Sequence, residues 1–207
     1  MRWKGCLALT VAVALSGGCA TRPDDGQGLT VYRLQLPADA PLPDVPTADA
    51  VLAIESPDAP AVLRTRDIAY QPEQHQLRYY SRSQWADPPP RMLETALVSA
   101  FERSQLFRGV VRSSAAGRPD YRLGTELLRL EHDFSGSGGS RLALTMRVQL
   151  TDLKERALLG SKVIEVHTPA PSDDAEGAVR AAHQALAQAM SEAVGFAAET
   201  LAATRRD

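Results

Sequence analysis

Apolar and polar positions alternate most strictly over residues 142–151. Leu142, Leu144, Met146, Val148 and Leu150 interleave there with Ala143, Thr145, Arg147, Gln149 and Thr151. A period of two places one set on each face of a pleated strand, so this segment predicts a strand with one buried side. Upstream, over 120–134, Tyr121, Leu123 and Leu127 share a phase before Leu128, Leu130 and Phe134 take over. That change of phase predicts a bulge near Leu127. The Gly/Ser segment 135–140 between the two strands predicts a hairpin tip, and 158–167 predicts an antiparallel return after a turn around Lys154. Earlier, Tyr32, Leu34 and Leu36 alternate with Val31, Arg33 and Gln35 before a proline-rich loop over 37–46. Residues 51–55 form a second, more continuously apolar strand that Pro57 and Pro60 stop. Ile68, Ala69 and Tyr70 with 76–81 predict a hairpin, and Val110-Val111 a brief strand.

Two segments change to the helical period. Asp87 is an N-cap candidate followed by Pro88, Pro89 and Pro90, and prolines are tolerated where the first amides have no helical partner. Leu93, Leu97, Ala100 and Phe101 then recur on one face to about Leu106. Asp173-Asp174-Ala175-Glu176 resembles a capping box with Asp173 as its cap. It opens an Ala-rich helix through Val179, Ala182, Leu186, Met190, Ala193 and Ala197 to about Leu201. The expected fold is a single α+β domain: a largely antiparallel sheet with room for mixed pairing, and two main helices packed on it.

The first residues obey different rules. Arg2 and Lys4 precede an apolar run over 7–15 that is too short to span a bilayer, the layout of a secretory signal. Ser16-Gly17-Gly18-Cys19 follows, which resembles the lipobox of bacterial lipoproteins, with Ser16 where that motif carries a branched apolar residue. The resemblance implies acylation of Cys19 and removal of residues 1–18; ordinary signal-peptidase cleavage near Ala20 is the alternative. The only other cysteine, Cys6, lies in the leader, so the mature body has no thiol for a disulfide with Cys19. Residues 19–29 then read as a lipidated tether, 30–203 as the domain and 204–207 as a polar tail. More than one acyl chain on Cys19 would hold the body durably on a membrane. Ala20 stands where an aspartate would resemble an inner-membrane retention signal, so the periplasmic face of a Gram-negative outer membrane is the expected address.

Charge and candidate chemistry narrow the function. The formal net charge is −2 for the whole chain and falls to −4 when Arg2 and Lys4 leave with the leader. Basic residues are interspersed with acidic ones, which argues against nucleic acid as a partner. The 135–140 segment lacks the lysine and helix of a phosphate loop. His75, His132, His167 and His183 stand singly, at no metal-ligand spacing, and read as surface or structural histidines. No Gly-x-Ser-x-Gly elbow occurs, so no enzyme, cofactor or metal site is expected. A hydrolase is the weakest of the alternatives.

The segment 77–89, Leu-Arg-Tyr-Tyr-Ser-Arg-Ser-Gln-Trp-Ala-Asp-Pro-Pro, concentrates aromatics and prolines between a strand and a helix. It resembles the central signature of the ABC-type transport auxiliary lipoproteins, the PqiC-like family. Further matches are Tyr32-Arg33-Leu34, residues 51–57, 65–70 and Asp120-Tyr121-Arg122-Leu123, in the same order behind the lipobox. The resemblance implies a non-enzymatic outer-membrane component of a lipid transport system. Its partners would be a periplasmic MCE-domain protein and, through it, an inner-membrane permease; a homo-oligomeric ring is compatible with this. An outer-membrane assembly lipoprotein serving a β-barrel translocon is the runner-up. Tyr80 and Trp85 are the candidate partner-binding anchors, and a core position for both is the open alternative.

Overall fold

The computed structural model describes residues 28–113, 118–136 and 138–204. The expected leader 1–18, Cys19, the expected tether up to residue 27 and residues 205–207 of the expected tail lie outside the described residues. Eight strands and two helices follow in the order β1 (Thr30–Tyr32), β2 (Ala48–Ile54), β3 (Asp67–Gln71), β4 (Arg78–Trp85), α1 (Pro89–Ser104), β5 (Phe107–Arg112), β6 (Tyr121–Asp133), β7 (Arg141–Asp152), β8 (Ala157–Pro169) and α2 (Ala175–Thr204). A single turn of 3-10 helix, Ala61–Leu63, was not foreshadowed by the sequence pattern.

Strand β6 organises the sheet. One edge pairs antiparallel with β7 along its whole length, and β7 pairs antiparallel with β8. The other edge is shared, because 13 residues span about 43 Å at the usual rise of a strand. Its first half pairs parallel with β2, which pairs parallel with β5. Its end pairs parallel with β3, which continues through antiparallel β4 to parallel β1. The gap between these branches is bridged by the segment after β2. There the Asp58 amide donates to the Thr125 carbonyl at 2.9 Å and the Leu127 amide to the Asp58 carbonyl at 2.8 Å. The β6–β7 register shifts between Leu127 and Arg129, where the phase change predicted a bulge.

The sheet is therefore mixed, and its parallel pairs come from connections that no alternation pattern reveals. Other local expectations are corrected too. The first strand ends at Tyr32, since β4 offers it no partner beyond Trp85. Asp87 does not cap α1: Pro88 holds that place without a side-chain cap, and Asp87 instead pairs with Arg91 at 3.6 Å. Helix α2 is capped by Asp174, whose carboxylate accepts the Gly177 amide at 2.7 Å, while Asp173 accepts the Ser140 hydroxyl across the hairpin tip.

Both helices contribute to the core that covers one face of the sheet. Leu142, Leu144, Met146, Val148 and Leu150 are all buried beneath them, with Leu123 and Leu127 of β6 and Ile164 and Val166 of β8. Ala181, Ala182, Ala185, Ala189, Ala193 and Ala197 are fully buried along α2. Their small side chains let the helix lie close to the strands. Gly160 in β8 shows how close: a Cβ there would stand 3.3 Å from the Phe196 ring. The opposite face is charged and carries cross-strand pairs such as Arg147 with Glu126 and Arg141 with Asp133.

Candidate functional site

The strand containing Tyr79 and Tyr80 divides its side chains between the two faces of the sheet, and this division decides what each can do. Tyr80 turns inward, its ring tilted against that of Tyr70 of β3 at a ring-centroid distance of 4.8 Å. Its hydroxyl shares a 2.7 Å hydrogen bond with Nδ1 of His132 on β6. The His132 ring is fully buried and packs on Phe134 at 4.3 Å. Its Nε2 has no hydrogen-bond partner among the described residues. Burial pushes the His132 imidazolium down and the Tyr80 phenol up, and the nearby carboxylates of Asp173 and Asp174 oppose the first effect and add to the second. At neutral pH both groups are therefore uncharged, and the pair is a sealed polar contact inside an aromatic corner.

Trp85 ends the same strand and is 2% exposed. It belongs to the apolar cluster that includes Met92 and Leu93 of α1, while its amide and carbonyl bind the Arg66 carbonyl and guanidinium at 2.7 and 3.1 Å. Of the two placements the sequence left open, the structure takes the core for Trp85, so its indole offers no surface to a partner. Tyr80 is half-buried with its hydroxyl engaged. Cys19 lies outside the described residues.

On the open face, Asp133 accepts the amide and hydroxyl of Ser135 at 2.9 and 2.6 Å and pairs with Arg141 at 3.0 Å and Arg129 at 3.3 Å. Burial by itself would raise its pKa, but these donors and charges outweigh it and hold the carboxyl at about 2. A network closed on itself in this way is structural. Among the described residues no group of three or more His, Cys, Asp or Glu is arranged to hold a metal, and no helix is long and apolar enough to cross a membrane.

The surface that sequence reasoning missed is the edge made by β1 and β4. Leu29 and Val31 are 55% and 49% exposed, and Leu77 and Tyr79 are each 39% exposed. Val31 pairs with Gln84, which reaches Asp67, and Tyr79 pairs with Ala69 two residues further along β3. Val31 and Tyr79 therefore point to the same face, away from the helices. The irregular register within β4 makes this possible, because it lets Tyr79 turn outward while both Tyr80 and Trp85 face the core. Only the alternation that turned Val31 outward hinted at this edge.

Comparison with known proteins supports the same architecture. Protein XCC0632 from Xanthomonas campestris has a crystal structure that superposes with a TM-score of 0.78 at 27% identity, covering 86% of this chain and 99% of that one. The hypothetical protein CT253 from Chlamydia trachomatis shares the fold at 8% identity and a TM-score of 0.54, over 75% of this chain and 99% of its own. An uncharacterized protein of Bradyrhizobium diazoefficiens is 26% identical over 154 residues, 74% of this chain; the chain spans 41% of the length of that relative. A family model matches residues 32–194, from the outward-facing edge at β1 through the buried face of α2, and the chain belongs to that family, the ABC-type transport auxiliary lipoprotein components.

Proposed function

We propose that this protein is a non-enzymatic lipoprotein of the outer membrane that docks a periplasmic MCE-domain protein, and through it an inner-membrane permease, for traffic of phospholipids or similar apolar molecules. The observation that carries the reading is the family match over residues 32–194 standing behind a lipobox-like Ser16-Gly17-Gly18-Cys19. Acyl chains on Cys19 would fix the body to the leaflet without a spanning segment. The fold suits a tethered adaptor: the lipidated end leads into β1 at one edge of the sheet, and β8 forms the opposite edge with Leu158 and Val163 exposed along it. Docking then rests on exposed side chains of this kind, since Trp85 is enclosed.

The test is direct binding between the purified lipidated protein and a periplasmic MCE-domain protein of the same bacterium. A saturable complex is expected. Failure to bind that protein, together with stable co-purification of a β-barrel, would replace this reading with the outer-membrane assembly role.

A further inference from the structure

We infer that the β1–β4 edge lies against the membrane, with Leu29, Val31, Leu77 and Tyr79 entering the headgroup region and Arg33 and Arg82 pairing with lipid phosphates. The inference deepens the proposed function and rests on acylation of Cys19.

Three observations converge. The four side chains are the exposed large apolar residues of this edge, and Val31 and Tyr79 face the same way, off the helix-covered side. A tyrosine between apolar and charged neighbours suits the interface, where its ring meets acyl chains and its hydroxyl meets water. Second, direction matters. Strand β1 is parallel to β4 and covers only Ser83–Trp85, so the chain reaches β1 from the Tyr79 end of β4. Eight residues, 20–27, separate Cys19 from Gly28, the first described residue. Even fully extended they reach about 30 Å, which keeps this edge within reach of the leaflet that holds the acyl chains. Third, the charge fits. The protein is acidic overall, yet Arg33 and Arg82 are exposed beside these side chains and stand in no ion pair among the described residues. The carboxylates nearby are already engaged: Asp67 accepts the Gln84 amide, and Asp87, which lines a cleft with Arg33, pairs with Arg91. Guanidinium groups left without carboxylates are suited to phosphate.

The full-length protein, processed and lipidated in cells, tests this with a fluorophore at single cysteines. Tyr79→Cys and Val31→Cys place it on the edge, and Gln184→Cys on the exposed side of α2 serves as control. An acylated Cys19 leaves no competing thiol, because Cys6 departs with the leader. Each labelled protein is reconstituted into phosphatidylethanolamine–phosphatidylglycerol vesicles with brominated acyl chains, floated on a density gradient, and read for quenching by bromine. We expect fluorescence at 79 and 31 to drop about twofold and that at 184 to stay unchanged. Arg82→Glu should weaken quenching at 79. Flotation with no quenching at either edge site, or with equal quenching at all three, would overturn the membrane contact while leaving the anchor intact. A protein that fails to float would overturn the anchor and the contact together. A fluorophore covered by a second copy or by the tether itself would escape bromine and so count as the negative outcome. Using two edge sites guards against one variant folding poorly.

Discussion

His132 is the residue whose environment makes the sharpest demand on solution conditions. Its folded pKa is depressed, chiefly by burial, below the ordinary value of 6.5. The folded state therefore favours the neutral ring, and its contribution to stability is complete above pH 6.5 and is lost progressively as pH falls from there through the lower folded-state value. Thermal melts at pH 7.5 and 5.5 should show a fall in midpoint that shrinks in His132→Gln, which keeps a hydrogen-bonding group facing Tyr80 but takes up no proton. Identical pH dependence in the two proteins would show that the imidazole is not the source. Asp133 works in a lower window. Its carboxyl is displaced from 3.8 to about 2, so the two hydrogen bonds from Ser135 and the pairing with Arg141 and Arg129 together contribute on the order of 2 kcal/mol above pH 4, which fades below it. Trp85→Ala should cost about 3–5 kcal/mol through the cavity it leaves. Calorimetry of the variant, with partner binding measured on its folded fraction, checks this; undiminished stability with lost binding would return Trp85 to the surface.

At the scale of single elements, the start of α2 separates what a pattern suggests from what geometry selects. The capping-box pattern pointed to Asp173, and the backbone instead selects Asp174, because the Gly177 amide points at its carboxylate. Gly177 is needed where it is: a Cβ there would stand 2.1 Å from the Ser172 carbonyl oxygen. Gly177→Ala should therefore destabilise by about 1–3 kcal/mol through forced displacement of the turn. Asp174→Ala should cost about 1 kcal/mol through the lost cap, and Asp173→Ala less, because it gives up only the Ser140 contact. Urea unfolding of the three variants settles the order. A larger loss in Asp173→Ala than in Asp174→Ala would contradict the assigned cap.

For the whole molecule the prediction concerns attachment. On the proposed acylation of Cys19, replacing it with alanine should move the protein from the membrane pellet to the soluble fraction, because the apolar run 7–15 is too short to span and no described helix can cross. Fractionation in high salt makes the comparison, and a variant that still sediments with the outer membrane would show a tether other than lipid. The inferred membrane contact of the β1–β4 edge is too small to replace the acyl chains, so it should orient the attached body rather than hold it.

Alternation and helical period, which are local properties of the chain, determined the two helices, the β3–β4 hairpin, the β6–β7–β8 meander and the bulge near Leu127. These are legible because neighbouring residues share one burial gradient along each element. The motif at Cys19 and the aromatic segment 77–89 were equally local and pointed to the family that the comparison shows. Tertiary structure alone decided the parallel pairing of β2 and β3 on one edge of β6, since a strand reads the same whichever neighbour it meets. It also decided the fates of the aromatics. Tyr79, Tyr80 and Trp85 are close in sequence and similar in chemistry, and only the register shift between β3 and β4 turns Tyr79 to the surface while closing Tyr80 and Trp85 into the core.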